Sequence, residues 1–148
     1  MLNTGLSLFV GVGNVLRSDD GIGVYIAQRI RQDDHIRVIN VEVSIENYIG
    51  KINSVHPDRI IIIDCVHFGQ DPGYYELLPV SELQDQTTHT HNISLQKVSE
   101  LFRAPVWMLG VQPGSVAFGD IISPPLLKTA EEIIGFINNP ESPGQTSA

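Results

Sequence analysis

Cysteines, basic residues and long apolar runs are scarce in this chain of 148 residues. Cys65 is its single cysteine, which excludes an internal disulfide framework and a zinc site built from several thiolates, and suits a reducing compartment. The nine lysines and arginines do not cluster, and the formal net charge is −8. This charge argues against nucleic acid as a partner, because nucleic-acid binding needs a basic surface.

Two further absences bear on where the protein works. No apolar run approaches the roughly 20 residues that a membrane-spanning helix requires. The chain also starts without the basic segment that begins a signal peptide. We therefore expect a cytoplasmic protein that does not insert into a membrane.

The composition and the length are typical of a single globular domain. Hydrophobic residues make up 42% and charged residues 18% of the chain, as in ordinary globular proteins. The length fits one domain with a core that needs no disulfides. We expect a single domain over residues 1–138, followed by a flexible polar tail over residues 139–148.

Apolar segments with strand periodicity alternate with segments of helical periodicity along the chain. The predicted strands are Ser7–Val12, Ile36–Val43, Ile60–Asp64, Tyr74–Leu78 and Val106–Val111, and the predicted helices are Asp20–Arg31, Ser44–Asn53, Asn92–Phe102 and Ser123–Ile137. The continuous isoleucine run of the third strand is typical of a central strand buried on both faces. This alternation predicts a three-layer α/β domain with a mostly parallel sheet, in which Tyr74–Leu78 is an edge or antiparallel strand.

The glycine-rich turn after the first strand resembles a dinucleotide-binding loop but lacks an essential part of it. Leu16 stands where the third glycine of that fingerprint is needed for close packing of helix and strand. Asp19 and Asp20 would repel a pyrophosphate at the helix N-terminus. The turn therefore favours a metal cation as its ligand. For Asp19 the preferred interpretation is simpler: Ser18 or Asp19 caps the helix and complements its dipole.

Two carboxylates are expected to meet at one edge of the sheet. Ligands of open α/β sheets bind outside the carboxyl ends of the strands, where the strand order reverses. Asp20 follows the first strand, and Asp64 ends the third. The loop Thr88–Asn92 adds a histidine, and a set of two aspartates and one histidine suits nickel, zinc or manganese. Three protein ligands leave positions open for water or substrate.

Four motifs, in order, carry a resemblance to a known family. They are the glycine-rich segment Gly11–Gly23, the apolar strand closing on Asp64, the segment Thr88–Leu95, and Gly110–Pro113. Together they resemble the nickel–iron hydrogenase maturation endopeptidases, over about Ser7 to Ile137. The segments Ser44–Asn47 and Gly110–Pro113 make the chain most similar to the branch that processes hydrogenase-3-type large subunits. The resemblance implies a phosphorylase/hydrolase-like α/β/α fold whose five-stranded mixed sheet has the order 2-1-3-5-4, with the fourth strand antiparallel.

The resemblance also implies an activity and a site. Members of this family, grouped with aspartic-type peptidases, remove a C-terminal extension from the hydrogenase large-subunit precursor after nickel insertion. The ligand and catalytic positions fall on Asp20, Asp64 and His91; His91 is preferred to His89 because Leu95 follows it by four residues. The nickel is expected to be that of the precursor, although zinc or cadmium could occupy the same ligands. A monomer or weak oligomer is expected.

Several alternatives stay open at this stage. Water could be activated by the metal, which would also polarise the scissile carbonyl, or by Asp20 or Asp64 as general base, with nickel serving for docking. Glu46 could face the same crevice or only complement a helix dipole. The protein could instead be a non-catalytic assembly chaperone with the same ligands, or a nucleotide-binding α/β module. The plain expectations are a buried, unreactive Cys65, a core position for Trp107, and surface positions for the other histidines, His35, His56, His67 and His89.

Overall fold

One five-stranded sheet organises the chain. The computed structural model describes residues 5–42, 44–83 and 95–140. The strands are β1 (Ser7–Val12), β2 (Ile36–Glu42), β3 (Arg59–Cys65), β4 (Tyr75–Pro79) and β5 (Val106–Val111). Their order is β2-β1-β3-β5-β4, with β4 antiparallel to β5 and the other pairs parallel. The predicted fold class, strand order and strand directions are confirmed.

The central strand β3 is buried on both faces, as its isoleucine run predicts. Its side chains alternate between two cores, because successive residues of a strand point to opposite faces. Ile60 and Ile62 belong to the core under the second and third helices, whereas Ile61, Ile63 and Cys65 belong to the core under the first and fourth helices. The helices therefore form one layer on each face of the sheet.

The part of the chain that the structure describes has the α-helices α1 (Ile22–Ala27), α2 (Ile49–Ser54), α3 (Leu95–Ser99) and α4 (Pro124–Asn138). Two 3₁₀ turns, Ser18–Gly21 and Ile45–Tyr48, stand where α1 and α2 were predicted to begin. The predictions that α-helix extends over Asp20–Arg31 and Ser44–Asn53 are therefore wrong in length.

The shortening of α1 has a local cause. After Ala27 the amide N–H groups of Arg29 and Ile30 bond to carbonyls three residues back, at 3.0 and 3.3 Å, which tightens the end of the helix. The buried stripe survives, because Ile22, Ile26 and Ile30 all remain inside the core. The apolar periodicity thus identifies the correct buried face although the hydrogen-bond pattern changes.

The helix α3 shows one clear departure from the expected pattern. Leu95 and Val98 are buried as predicted, but Leu101 is 59% exposed and Phe102 is buried in its place. The α-helix ends at Ser99, and the amide N–H of Leu101 bonds to the carbonyl of Val98 at 3.0 Å. This tighter turn rotates the chain, so the helical spacing predicts the wrong side chain there. Residues 92–94 of the predicted helix lie outside the described residues.

The topology sets the position of a crevice. From β1 the chain passes to β2 on one side, whereas β3 lies on the other, so the strand order reverses between β1 and β3. Both strands end at the same edge, with Gly11 beside Ile63 in register. Within the described ranges, no helix has both the length and the apolar character needed to cross a membrane. Residues 141–148 of the expected tail lie outside those ranges.

Candidate functional site

The first carboxylate of the site, Asp20, lies on the turn that follows β1. Gly13 makes this turn possible: its φ of 153° favours glycine, and a side chain there would collide with the carbonyl oxygen of Asp20. The amide N–H of Asp20 donates to the carbonyl of Arg17 at 3.1 Å within the 3₁₀ turn. Asp20 is fully buried. The backbone thus holds this carboxylate against the carboxyl end of β1.

The second carboxylate, Asp64, comes from the carboxyl end of β3. It is fully buried, opposite Gly110 of β5 in register. One of its oxygens, Oδ1, accepts the amide N–H of Cys65 at 2.7 Å. Asp64 shares the strand parity of Ile60 and Ile62, which places it on the face covered by α2 and α3.

Cys65 links the end of the strand that carries Asp64 to the turn that carries Asp19 and Asp20. Burial raises the pKa of the Cys65 thiol strongly, and the negative charges of Asp64, Asp20 and Asp19 raise it further. The thiol itself donates to the carbonyl oxygen of Asp19 at 3.0 Å. Asp20 and Asp64 therefore come to one end of the sheet, on either side of the reversal point. The expectation of a buried cysteine is confirmed, whereas its lack of reactivity stays a prediction.

The side chain of Asp19 holds a distant loop and does not cap the helix that follows it. Neither the 3₁₀ turn nor α1 has a side-chain cap, so the prediction that Ser18 or Asp19 caps this helix is wrong. The buried Asp19 carboxylate instead accepts four hydrogen bonds from the loop between β5 and α4. The donors are the amide N–H groups of Gly114 (2.8 Å), Ser115 (3.0 Å) and Ser123 (2.7 Å) and the Ser123 hydroxyl (2.8 Å).

The third predicted ligand cannot be placed in the same way. His91, with the alternative His89, falls in residues 84–94, outside the described residues. Within the described part of the chain, no three His, Cys, Asp or Glu side chains group in a manner that could hold a metal ion. Glu46 is exposed on the 3₁₀ turn after β2, unlike the two buried aspartates. The ligand set of Asp20, Asp64 and His91 therefore stays a prediction.

The remaining minor expectations can be compared with the structure directly. His35, His56 and His67 are exposed, as predicted. Trp107 is half-buried at the edge of the core under α1 and α4, so it is less enclosed than expected. It lines an apolar cavity of about 490 Å³ between β4, β5 and the end of α4, with Tyr75, Leu77 and Phe136. This cavity has no Asp, Glu, His or Cys among its lining residues, so it lacks the chemistry expected of the site.

Two buried carboxylates at a crevice can do two kinds of chemistry. They attract a divalent cation, for which hard oxygen ligands are suitable, and they can accept a proton from a reacting group. They disfavour a bound pyrophosphate at the same turn, because like charges repel in a poorly solvated place. The donor set therefore fits a cation such as nickel or zinc, provided that a further ligand completes it.

Comparison with known proteins places these features in context. Residues 22–138 match the family model described as HycI, hydrogenase maturation protease. The hydrogenase 3 maturation protease of Escherichia coli K12 is 27% identical over 128 residues, which cover 82% of this chain and 82% of that protein.

Solved structures show the same likeness in three dimensions. The crystal structure of a NiFe hydrogenase maturation protease, HycI from Thermococcus kodakarensis KOD1, superposes with a TM-score of 0.80 at 25% identity, covering 93% of this chain and 94% of that one. The solution structure of the endopeptidase HycI from Escherichia coli also gives a TM-score of 0.80 at 25% identity, covering 94% and 93% of the two chains.

Proposed function

This chain belongs to the hydrogenase maturation protease family, and we propose that it removes a C-terminal extension from the large-subunit precursor of a nickel–iron hydrogenase after nickel insertion. As a member of that family it is a hydrolase that cleaves peptide bonds. The observation that carries the proposal is the family match over residues 22–138. The buried pair Asp20 and Asp64 at the reversal point of the sheet supports it, because the pair supplies groups that peptide hydrolysis needs.

We propose that the nickel of the precursor is the recognised feature, and that Asp20, Asp64 and His91 bind it. The support is chemical: two carboxylates and an imidazole make a mixed oxygen and nitrogen donor set that suits nickel. The single cysteine has a pKa raised by burial, so it does not offer a ready thiolate to compete for the metal. Nickel would then enter the crevice as part of the substrate, and a precursor without nickel would bind weakly.

We propose that hydrolysis uses one of the two carboxylates as general base. A water oxygen adds to the scissile carbonyl carbon while the carboxylate accepts the water proton. The C–N bond then breaks, and the same proton passes to the leaving amine nitrogen. A divalent ion in the crevice would add polarisation of the carbonyl oxygen. Both aspartates are buried at the carboxyl edge of the sheet, where open α/β sheets bind their ligands, which supports this role.

Cleavage of a purified precursor tests the proposal directly. Nickel-loaded large-subunit precursor is incubated with the protein, and its intact mass is followed by mass spectrometry. A mass loss equal to that of the C-terminal extension supports a protease. Stable binding without mass loss contradicts it and supports the non-catalytic chaperone. The precursor without nickel serves as the matched substrate control, and we expect no cleavage of it.

The roles of the two aspartates are separated by Asp20→Asn and Asp64→Asn. Asparagine keeps the shape of the side chain but cannot accept the water proton at neutral pH. The variant that still binds the nickel-loaded precursor but no longer cleaves it identifies the general base. Loss of binding in a variant identifies a ligand. Full cleavage by either variant would remove that residue from the proposed site.

A further inference from the structure

Four large apolar side chains stand exposed on two neighbouring loops at the carboxyl edge of the sheet. Val15 and Leu16 follow β1 and are each about half exposed, whereas Phe118 and Ile121 follow β5 and are 88% and 76% exposed. We call these four residues the apolar rim. An aromatic side chain as exposed as Phe118 is unusual on a monomeric surface, and clustered apolar exposure marks interaction sites.

The apolar rim forms one continuous surface, because its two loops are hydrogen-bonded to each other. The amide N–H of Gly119 donates to the carbonyl of Leu16, and the amide N–H of Ser18 donates to the carbonyl of Gly119, both at 2.7 Å. Two side chains add further links: the Arg17 guanidinium donates to the carbonyl of Val116 at 3.1 Å, and the Ser18 hydroxyl donates to the carbonyl of Ala117 at 2.9 Å. The relative position of the four rim side chains is therefore fixed.

The rim is also continuous with the candidate site. Asp19, the neighbour of Asp20, holds the second loop through its carboxylate and through its own amide N–H, which donates to the carbonyl of Ser115 at 3.0 Å. Val15 and Leu16 lie on the same turn as Asp20. A polypeptide that reaches Asp20 and Asp64 from this side must therefore pass over or beside the rim.

The charges of the rim indicate what kind of partner it suits. Arg17 and Asp120 are the charged residues within segments 13–18 and 114–122, so the two loops carry no net charge in a chain whose formal charge is −8. Electrostatic attraction gives little contribution at such a surface. Burial of apolar area, with Phe118 as an aromatic anchor, is the interaction that it can provide.

We propose that the apolar rim binds apolar side chains of the hydrogenase large-subunit precursor next to the bond that is cleaved. This inference rests on the proposed function and adds to it the feature that the substrate must carry. The apolar rim binds the polypeptide beside the scissile bond, whereas the carboxylates of Asp20 and Asp64 bind the metal and act on the bond itself. The substrate would thus be recognised in two ways: through its metal, and through apolar side chains beside the scissile bond.

Steady-state cleavage of nickel-loaded precursor by the double variant Phe118→Ser with Ile121→Ser tests the proposal. We expect KM to rise about tenfold or more, the scale of one interface anchor, while kcat falls less than about twofold. The matched control is Leu101→Ser with Phe136→Ser. Both control residues are apolar and exposed, but they lie near the ends of α3 and α4, at the opposite edge of the sheet. The control should keep the wild-type KM.

The outcomes separate this proposal from the proposed function. If the wild-type protein does not cleave the precursor, the proposed function itself fails. If the wild-type protein cleaves and the rim variant has an unchanged KM, the rim proposal is overturned while the function stands. Analytical ultracentrifugation adds one more outcome: a wild-type dimer that the rim variant dissociates, with KM unchanged, would assign the rim to a second copy of this chain and would also overturn the proposal.

Discussion

Asp19 and Asp20 are adjacent and equally buried, yet their side chains serve different parts of the molecule. Asp20 belongs to the crevice with Asp64, whereas Asp19 fastens the loop between β5 and α4. The Asp19 carboxylate accepts from three backbone amide groups and one hydroxyl. Hydrogen bonds to a charged acceptor are stronger than neutral ones. Asp19 therefore links the turn that carries Asp20 firmly to the loop between β5 and α4.

Replacement of Asp19 by alanine should therefore destabilise the fold strongly. Alanine removes the buried charged acceptor of four hydrogen bonds and leaves partly buried amide donors of the loop without a partner, and we expect a loss of about 3 kcal/mol in the free energy of unfolding. Urea denaturation at pH 7 measures it. Asp120→Ala is the matched control on the same loop; because Asp120 is exposed, its change should stay within about 0.5 kcal/mol. A loss below about 1 kcal/mol for Asp19→Ala would contradict this role.

Cys65 should resist thiol reagents in the native protein. Its side chain is fully buried, and burial together with three neighbouring carboxylates raises its pKa, which lowers the fraction of reactive thiolate. At pH 8 we expect alkylation by iodoacetamide to be at least about a thousandfold slower in native protein than in urea. Mass spectrometry of the alkylated protein follows the rate. Rapid native labelling would mean that the crevice opens to solvent.

Asp64 and Asp19 differ in how far their roles can be predicted from the sequence. Asp64 is recognisable because a carboxylate that ends a buried apolar strand has few structural reasons to be there. The hydrogen-bond partners of Asp19 lie 95 to 104 residues away, so no local pattern indicates them. The doubled aspartate is the sequence signal for a second role beside that of Asp20, and Phe118 and Ile121 are recognisable as apolar residues of the segment between β5 and α4. Local propensity favours a helix cap at Asp19, and tertiary packing overrides it.

At the scale of elements, glycine sets how closely α1 approaches the sheet. A Cβ atom at Gly23 would collide with the carbonyl oxygens of Val12 and Ile63, at the ends of β1 and β3. Since both are backbone atoms of buried strands, neither can move without disturbing the sheet. Gly23 therefore allows the turn that carries Asp20 to lie against the strand that carries Asp64.

Gly23→Ala should accordingly destabilise the protein by about 3 kcal/mol, in the upper range for overpacking of a core. Gly50→Ala is the matched control, because Gly50 lies in α2 with no neighbouring atom within 4 Å of an added Cβ. In that open helical position alanine should stabilise by about 0.5–1 kcal/mol. Thermal and urea unfolding measure both variants. If Gly23→Ala and Gly50→Ala changed the free energy of unfolding in the same direction, the close packing of α1 would be contradicted.

The bounds of the elements follow a simple physical division. The predicted limits of β1 and β5 agree with the structure, because Gly13 ends the apolar run of β1, and Pro105 and Gln112 flank that of β5. The helices α1 and α2 are shorter than predicted, because apolar spacing fixes the buried face but not whether the backbone bonds three or four residues back. The exposed Leu101 is the visible consequence of that ambiguity.

At the scale of the whole molecule, the candidate site depends on the topology and not on any single segment. Asp20 follows β1 on its 3₁₀ turn and Asp64 lies at the end of β3, two strands that are separated in sequence and adjacent in the sheet, on either side of the reversal point. The alternation of strands and helices predicts a mostly parallel sheet, and the family resemblance predicts the strand order that puts the reversal between β1 and β3. His91 is a different case, because it lies outside the described residues and its place in the ligand set rests on the family resemblance.

If Asp20, Asp64 and His91 are the ligands proposed above, a divalent ion should stabilise the fold as a whole, because residues so distant in sequence would converge only in the folded chain. At a free Ni²⁺ concentration 100 times the dissociation constant, we expect the free energy of unfolding to rise by about 2.7 kcal/mol. Urea unfolding with Ni²⁺ and with EDTA measures the difference. Asp64→Asn and His91→Ala should lose most of it, whereas His35→Ala, at an exposed histidine before β2, should keep it. A wild-type midpoint that Ni²⁺ leaves unchanged, or an undiminished shift in His91→Ala, would contradict the proposed ligand set.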